Sequence, residues 1–203
     1  MSVSIYKNDL PENLNLGKEI AVDTETMGLK AGRDRLCLVQ LADSEGFVHF
    51  IQIEKNQKAA HNLAKIMTDE RILKIFHYAR FDIGILYKNL NFMTRNIYCT
   101  KIASKIGRTF SQNHGLKNLV KEILSMDISK EQQSSYWGAA KLDENQINYA
   151  KQDVLYLHKI KDHLDKILKR EERYEIFKKT CCFLPVRCEL DNMGWDDIDP
   201  FSH

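Results

Sequence analysis

The sequence predicts an α/β fold, a mixed β-sheet flanked by helices. Three observations carry this. Three β-rich runs follow one another within the first fifty-three residues, strand and helix patterns then alternate, and the last third is helical in period. Residues 18–24 (KEIAVDT) form the first run, 35–41 (RLCLVQL) the second, and 46–53 (GFVHFIQI) the third, beyond a turn at 43–46. Such close spacing suits an antiparallel or mixed meander.

Residues 58–68 have helical spacing, and 72–76 is a brief apolar strand. A helix is expected over 79–88, a short strand over 96–100, and helices over 101–106 and 115–124. The longest helical pattern covers 143–169, with Ile147, Val154, Leu157, Ile160, Leu164 and Leu168 as its apolar stripe and Asp143 placed to cap it. A last helix over about 171–192, interrupted near Pro185, leads into an acidic tail. No internal boundary divides the chain, so residues 1–203 are expected to be a single domain.

Composition narrows the class. Hydrophobic residues make up 43% and charged residues 29%, the balance of a soluble globular protein. No apolar run approaches the ~20 residues that span a bilayer, and the start has no signal-peptide core. The five cysteines are odd in number and lack a CxxC pair, which points to reduced thiols in a cytoplasmic protein. The net charge of +2 conceals opposed regions. Between Arg71 and Lys121 lie ten basic residues and a single acid, Asp82, whereas the tail from Glu189 holds five acids and no base. A basic middle is compatible with phosphate contacts, and equally with a solvated lysine-rich face.

The acids carry the chemistry. Asp23 and Glu25 are two apart at the end of the first strand run, so both project from one face. Paired carboxylates repel unless a cation compensates them, and hard oxygen ligands suit Mg²⁺ or Mn²⁺. By itself, a D-x-E pair is more often a charged strand end. Asp82 sits among Phe76, Phe81, Ile83, Ile85 and Leu86, a partly buried setting. Tyr149 and Asp153 are four apart, hence on one helical face, and extend the apolar stripe inward. An inward aspartate needs a partner, and a metal shared with Asp23 and Glu25 would be one.

The order D-x-E, H-x4-D, Y-x3-D is far more specific than any piece. It resembles the DEDDy branch of the 3′–5′ exonuclease superfamily, and within it the ribonuclease D-like proteins. The matching residues are Asp23 and Glu25 in VDTETMGL, Asp82 in FHYARFD, and Tyr149 with Asp153 in YAKQDVLYL. The resemblance runs from roughly residue 20 to 168. It implies a ribonuclease H-like exonuclease fold and metal-dependent 3′–5′ hydrolysis of RNA to nucleoside 5′-monophosphates with two divalent ions. Asp23 would bridge both ions, Glu25 and Asp153 would hold the water-side ion, Asp82 the other, and Tyr149 would orient the attacking water. The resemblance further implies that Leu29 is an apolar wedge on the terminal bases, and that Thr24, Thr26 and His77 meet substrate. Arg108 and Lys117, flanking the polar loop TFSQNHGLKN, are the basic candidates for phosphate.

The chain stops about thirty-five residues after the catalytic helix pattern, so the C-terminal helical RNA-binding domains of longer ribonuclease D proteins are not expected. The chain is similar to the short stand-alone group of nano-RNase C, which implies a homo-oligomer, an octameric ring, and substrates down to dinucleotides. Trp195 and Phe201, large apolar residues among tail acids, agree with assembly. Two other readings remain at this stage. One is a 3′–5′ exonuclease acting on DNA or trimming structured RNA ends; the other is a non-catalytic nucleic-acid-binding module, which the presence of all five motif residues disfavours.

Overall fold

The computed structural model describes residues 3–30, 33–129 and 131–202. Six strands form one sheet: β1 (Val3–Lys7), β2 (Glu19–Thr26), β3 (Leu36–Ala42), β4 (Val48–Gln52), β5 (Leu73–Phe76) and β6 (Ile97–Cys99), in the order β1-β4-β3-β2-β5-β6. Strands β2, β3 and β4 pair antiparallel, as the close spacing of their runs requires. The outer pairs β1–β4, β2–β5 and β5–β6 are parallel. The sheet is therefore mixed, as expected.

Strand β1 was not anticipated. Its five residues alternate poorly, Ile5 is exposed, and only pairing to the edge of β4 gives its backbone partners. At the centre, every residue of β3 is buried, because helices cover both faces of the sheet.

The helices are α1 (His61–Thr68), α2 (Ala79–Leu90), α3 (Thr100–Gly107), α4 (Leu116–Leu124), α5 (Glu144–Leu155), α6 (Leu157–Arg170) and α7 (Tyr174–Leu190). Two expectations need correction. The long helix of 143–169 is broken at Tyr156, which leaves α-helical geometry at φ −99°, ψ −8°. No glycine or proline marks the break. Its physical reason is tertiary: α5 lies on β2 and β3, whereas α6 turns to pack on α3, β2 and β5. The last helix, conversely, is not interrupted at Pro185. Helix α7 begins only at Tyr174 and runs through the buried Pro185 to Leu190, before a π-turn over Asp191–Trp195 that is kinked within at Gly194, φ 103°.

Part of the basic middle serves the fold. Lys74 is fully buried and donates to the carbonyls of Asp69 (2.6 Å) and Ile72 (2.8 Å). Arg80 forms a two-pronged pair with Asp191 (2.6 and 2.8 Å), which ties the acidic tail to α2 of the same chain.

Asp143 caps α5 as expected, and does so reciprocally. Its carboxylate accepts from the Gln146 backbone N–H (2.8 Å), while the Gln146 side chain accepts from the Asp143 N–H (3.0 Å). Replacing Asp143 by Ala is expected to remove about 1 kcal/mol of stability. A thermal midpoint lowered by about 2–4 °C in calorimetry checks this.

Candidate active site

Three elements bring the acids together at one end of the sheet. Asp23 and Glu25 project from the same face of β2, next to the bulge that ends the ladder between Glu25 and Thr26. Thr24, between them, points to the opposite face, where its hydroxyl donates to Asp82 Oδ1 at 2.7 Å. That bond fixes Asp82, which is 3% exposed in the first turn of α2. From above the sheet, α5 supplies Tyr149 and Asp153 one turn apart on one helical face.

The carboxylates of Asp23, Glu25 and Asp153 each offer an oxygen within 4.8 Å of the others. Burial, with Asp82, Asp153 and Glu25 as negative neighbours, lifts Asp23 well above the usual carboxylate range. Burial, then Asp153 and Asp82, pushes Glu25 to about 9. Asp82 rises to about 7 through burial, held back by the Thr24 hydroxyl, and Asp153 rises to about 7 through burial, held back by Tyr149. Four acids each destabilised as anions form a site that calls for positive charge, and their oxygens suit hard divalent cations. Burial and the same acids push the Tyr149 phenol upward, so it stays protonated. Trp137, 2% exposed, packs 6.0 Å from its ring.

The cluster forms the floor of a cleft of about 880 Å³. Thr26 and Leu29 stand on one wall. The Thr26 hydroxyl donates to the Gly28 carbonyl rather than outward. Gly28 leaves room for the Asp34 carboxylate, which a Cβ there would approach to 2.3 Å and which is held by the Lys30 N–H (3.0 Å) and by Arg33 (2.7 and 2.8 Å). Leu29, just beyond Gly28, is 80% exposed and lines the cleft.

His77, Tyr78 and Lys101 form another wall. The Thr100 hydroxyl donates to the Phe76 carbonyl (3.0 Å), so it accepts from His77 Nδ1 at 2.9 Å. Burial and the Lys101 charge press the His77 pKa down to about 3. The ring is therefore neutral, with Nε2 left as an acceptor.

Arg108 is not brought to the cleft. It is 5% exposed, bonded to Glu122, to Ser104 Oγ (3.2 Å) and to the Asn113 carbonyl (3.3 Å), and it braces the loop rather than meeting phosphate. Lys117 does line the cleft. Sequence reasoning missed Tyr78 and Lys101, and also the polar loop with Ser129 and Gln133 on the far wall. Lys101 belonged to the basic middle and Tyr78 adjoined His77, but neither carried a distinguishing spacing.

A sequence profile described as 3′-5′ exonuclease matches residues 5–169. The chain belongs to this exonuclease family. Ribonuclease D of Gluconacetobacter diazotrophicus is 30% identical over 164 residues, covering 81% of this chain and 41% of that protein. The chain thus spans about two fifths of that relative's length. Among solved structures, Brucella melitensis NrnC with bound Mg²⁺ is 45% identical, with a TM-score of 0.95 over 100% of both chains. Brucella melitensis NrnC bound to pGG is 46% identical, with a TM-score of 0.95 over 100% of this chain and 99% of that one. The ribonuclease H-like exonuclease fold and the likeness to ribonuclease D and nano-RNase C, expected from the motifs, are borne out.

The raised carboxylates make a signed prediction for metal-free protein. Folded Glu25, Asp82 and Asp153 hold protons at pH values where the unfolded groups have lost them. The folded state then binds more protons, so stability falls as pH rises from about 4 towards 9. Thermal midpoints in EDTA should decline over that range, and saturating Mg²⁺ should flatten the decline. Glu25→Gln should flatten it without metal, because one titrating group is gone.

Proposed function

We propose that the protein is a metal-dependent 3′–5′ exoribonuclease that degrades short RNA oligonucleotides, down to dinucleotides, to nucleoside 5′-monophosphates. The observation that carries this is the set of four carboxylates destabilised as anions beside a protonated tyrosine on the floor of one cleft. The full-length likeness to a nuclease bound to pGG supports the short end of the substrate range.

Asp23, Glu25, Asp82 and Asp153 would hold two divalent ions, Mg²⁺ or Mn²⁺, with Asp23 shared between them. Bound there, such ions acidify the attacking water and neutralise the leaving 3′-oxygen. The chain's own groups do the positioning. The Tyr149 hydroxyl, one turn from Asp153, orients the water; being protonated, it is not the general base. Water oxygen bonds to phosphorus, the bond from phosphorus to the 3′-oxygen breaks, and the proton lost by water balances the one gained by the leaving hydroxyl. Leu29 packs against the terminal bases, and Thr24 acts through Asp82. The His77 Nε2 acceptor faces a cleft in which a ribose hydroxyl is a fitting donor, and this favours RNA over DNA. Base contacts by packing tolerate many sequences, so little base preference is expected.

The reading extends to assembly and setting. Residues 1–203 act as one domain. Helix α7 and the tail expose Ile176, Phe183, Val186, Ile198 and Phe201, with Phe183 and Phe201 rings 5.9 Å apart. A second copy of the chain is the proposed cover for this apolar face, within a closed, octameric ring. The cysteines are unpaired, and four of the five are buried, in keeping with action in the reducing cytoplasm. No helix among the described residues is long and apolar enough to cross a membrane.

A length series of 5′-labelled RNA and DNA, from two nucleotides upward with Mg²⁺ or Mn²⁺, tests the function. Shortening from the 3′ end with preference for the shortest RNAs is expected; turnover of DNA alone would favour the DNA reading. Asp23→Ala and Asp153→Ala should each lower kcat by more than about a hundredfold without unfolding the chain. Tyr149→Phe should lower kcat while leaving KM nearly unchanged, and a purely raised KM would contradict the water-orienting role.

A further inference from the structure

Tyr78 is anomalous in its backbone, its exposure and its place. Eight non-glycine residues among those described have positive φ, and five of them are asparagines, which tolerate the left-handed region. Tyr78 is the one aromatic residue among the eight, at φ 75°, ψ 43° immediately before α2. A bulky side chain gains nothing from that conformation, and such strain persists where the surroundings or a function demand it. The ring is 48% exposed, so core packing is not the demand. It lines the cleft, and the Lys101 ammonium stands 4.2 Å from its centroid.

We propose that Tyr78 is a base-stacking platform, holding the nucleobase on the 5′ side of the scissile phosphate. This rests on the exoribonuclease reading. Three arguments support it. Asp82 lies one turn further along α2; under the exoribonuclease reading it would hold the ion on the leaving-oxygen side, and a ring at the helix start would then stand beside the nucleotide on the 5′ side. Leu29 lines the same cleft, so an apolar side chain and an aromatic face are both available to the bases. Lys101 braces the ring by a cation–π contact and brings a positive charge to the same wall. A nucleobase is the ligand that fits, because stacking needs a flat π-face and no particular hydrogen-bond pattern.

The test uses Tyr78→Asn and Tyr78→Phe in the full chain, assayed with an RNA dinucleotide and with one whose 5′ nucleoside lacks its base. Asparagine suits the backbone but cannot stack, so KM should rise by about ten-fold or more while the thermal midpoint stays level or increases. Phenylalanine should keep KM near the wild-type value. With the abasic substrate, wild type and Tyr78→Asn should have the same KM. An unchanged KM in Tyr78→Asn, or a penalty that persists on the abasic substrate, overturns the inference. So does an unchanged KM with altered sedimentation, which would assign the ring to a subunit contact. Wild-type protein that leaves every RNA dinucleotide intact would bring down the exoribonuclease reading and this inference with it; wild-type turnover with unaltered KM in the variant removes the inference alone.

Discussion

Four carboxylates that resist ionisation beside one another set the terms for the rest of the molecule. Burial raises Asp23, Glu25, Asp82 and Asp153 together, and repulsion from neighbouring carboxylates adds to it at the first three, so in metal-free protein the fold holds them against their own electrostatics. That is possible because β2 lies inside the sheet, paired on both sides, with Ala21 and Val22 fully buried just before the acids begin. The apolar strand supplies the rigidity, and its bulged end supplies the opening. A cluster mounted on loops would relax by moving apart, whereas this one is relieved by binding cations.

The other elements follow from that demand. Asp82 reaches the site because the Thr24 hydroxyl draws it from α2 towards the end of β2. Tyr149 and Asp153 reach it because α5 lies across β2 and β3, and a straight continuation of α5 would carry α6 away from its packing on α3 and β5. The break at Tyr156 reconciles the two. Asp143 and Gln146 secure the start of α5 by the capping box, and Gln146 also donates to Ser135 Oγ at 2.8 Å, linking the helix to the loop of the opposite wall. Site geometry and helix capping are thus parts of one arrangement.

The sequence made the site's floor legible and its walls much less so. Asp23, Glu25, Asp82, Tyr149 and Asp153 were recoverable because their order along the chain resembles that of an exonuclease family, while each acid alone admitted an ordinary explanation. The central strands were recoverable from their β-rich runs, and α5 from its cap. The Tyr156 break was not, since it answers to packing partners distant in sequence and no local breaker announces it. Strand β1 escaped for a related reason: an edge strand with an exposed Ile5 gains its identity from β4. Arg108 misled because charge reads as surface in a sequence, whereas this guanidinium is occupied by Glu122.

The basic middle is the sharper case. Ten cations against one acid suggested a phosphate-binding surface, yet Lys74, Arg80 and Arg108 are engaged by carbonyls or carboxylates of the fold. Of the ten, Lys101 and Lys117 line the cleft. Two ammonium groups facing four carboxylates leave an ionised cleft net negative, hostile to a phosphodiester. Two divalent ions on those carboxylates would reverse the sign. Attraction of substrate then depends on metal occupancy and hardly on surface lysines, so metal should lower KM as well as permit chemistry. Adding salt should weaken capture only modestly, because the decisive charges sit at the bottom of the cleft, where screening is least effective.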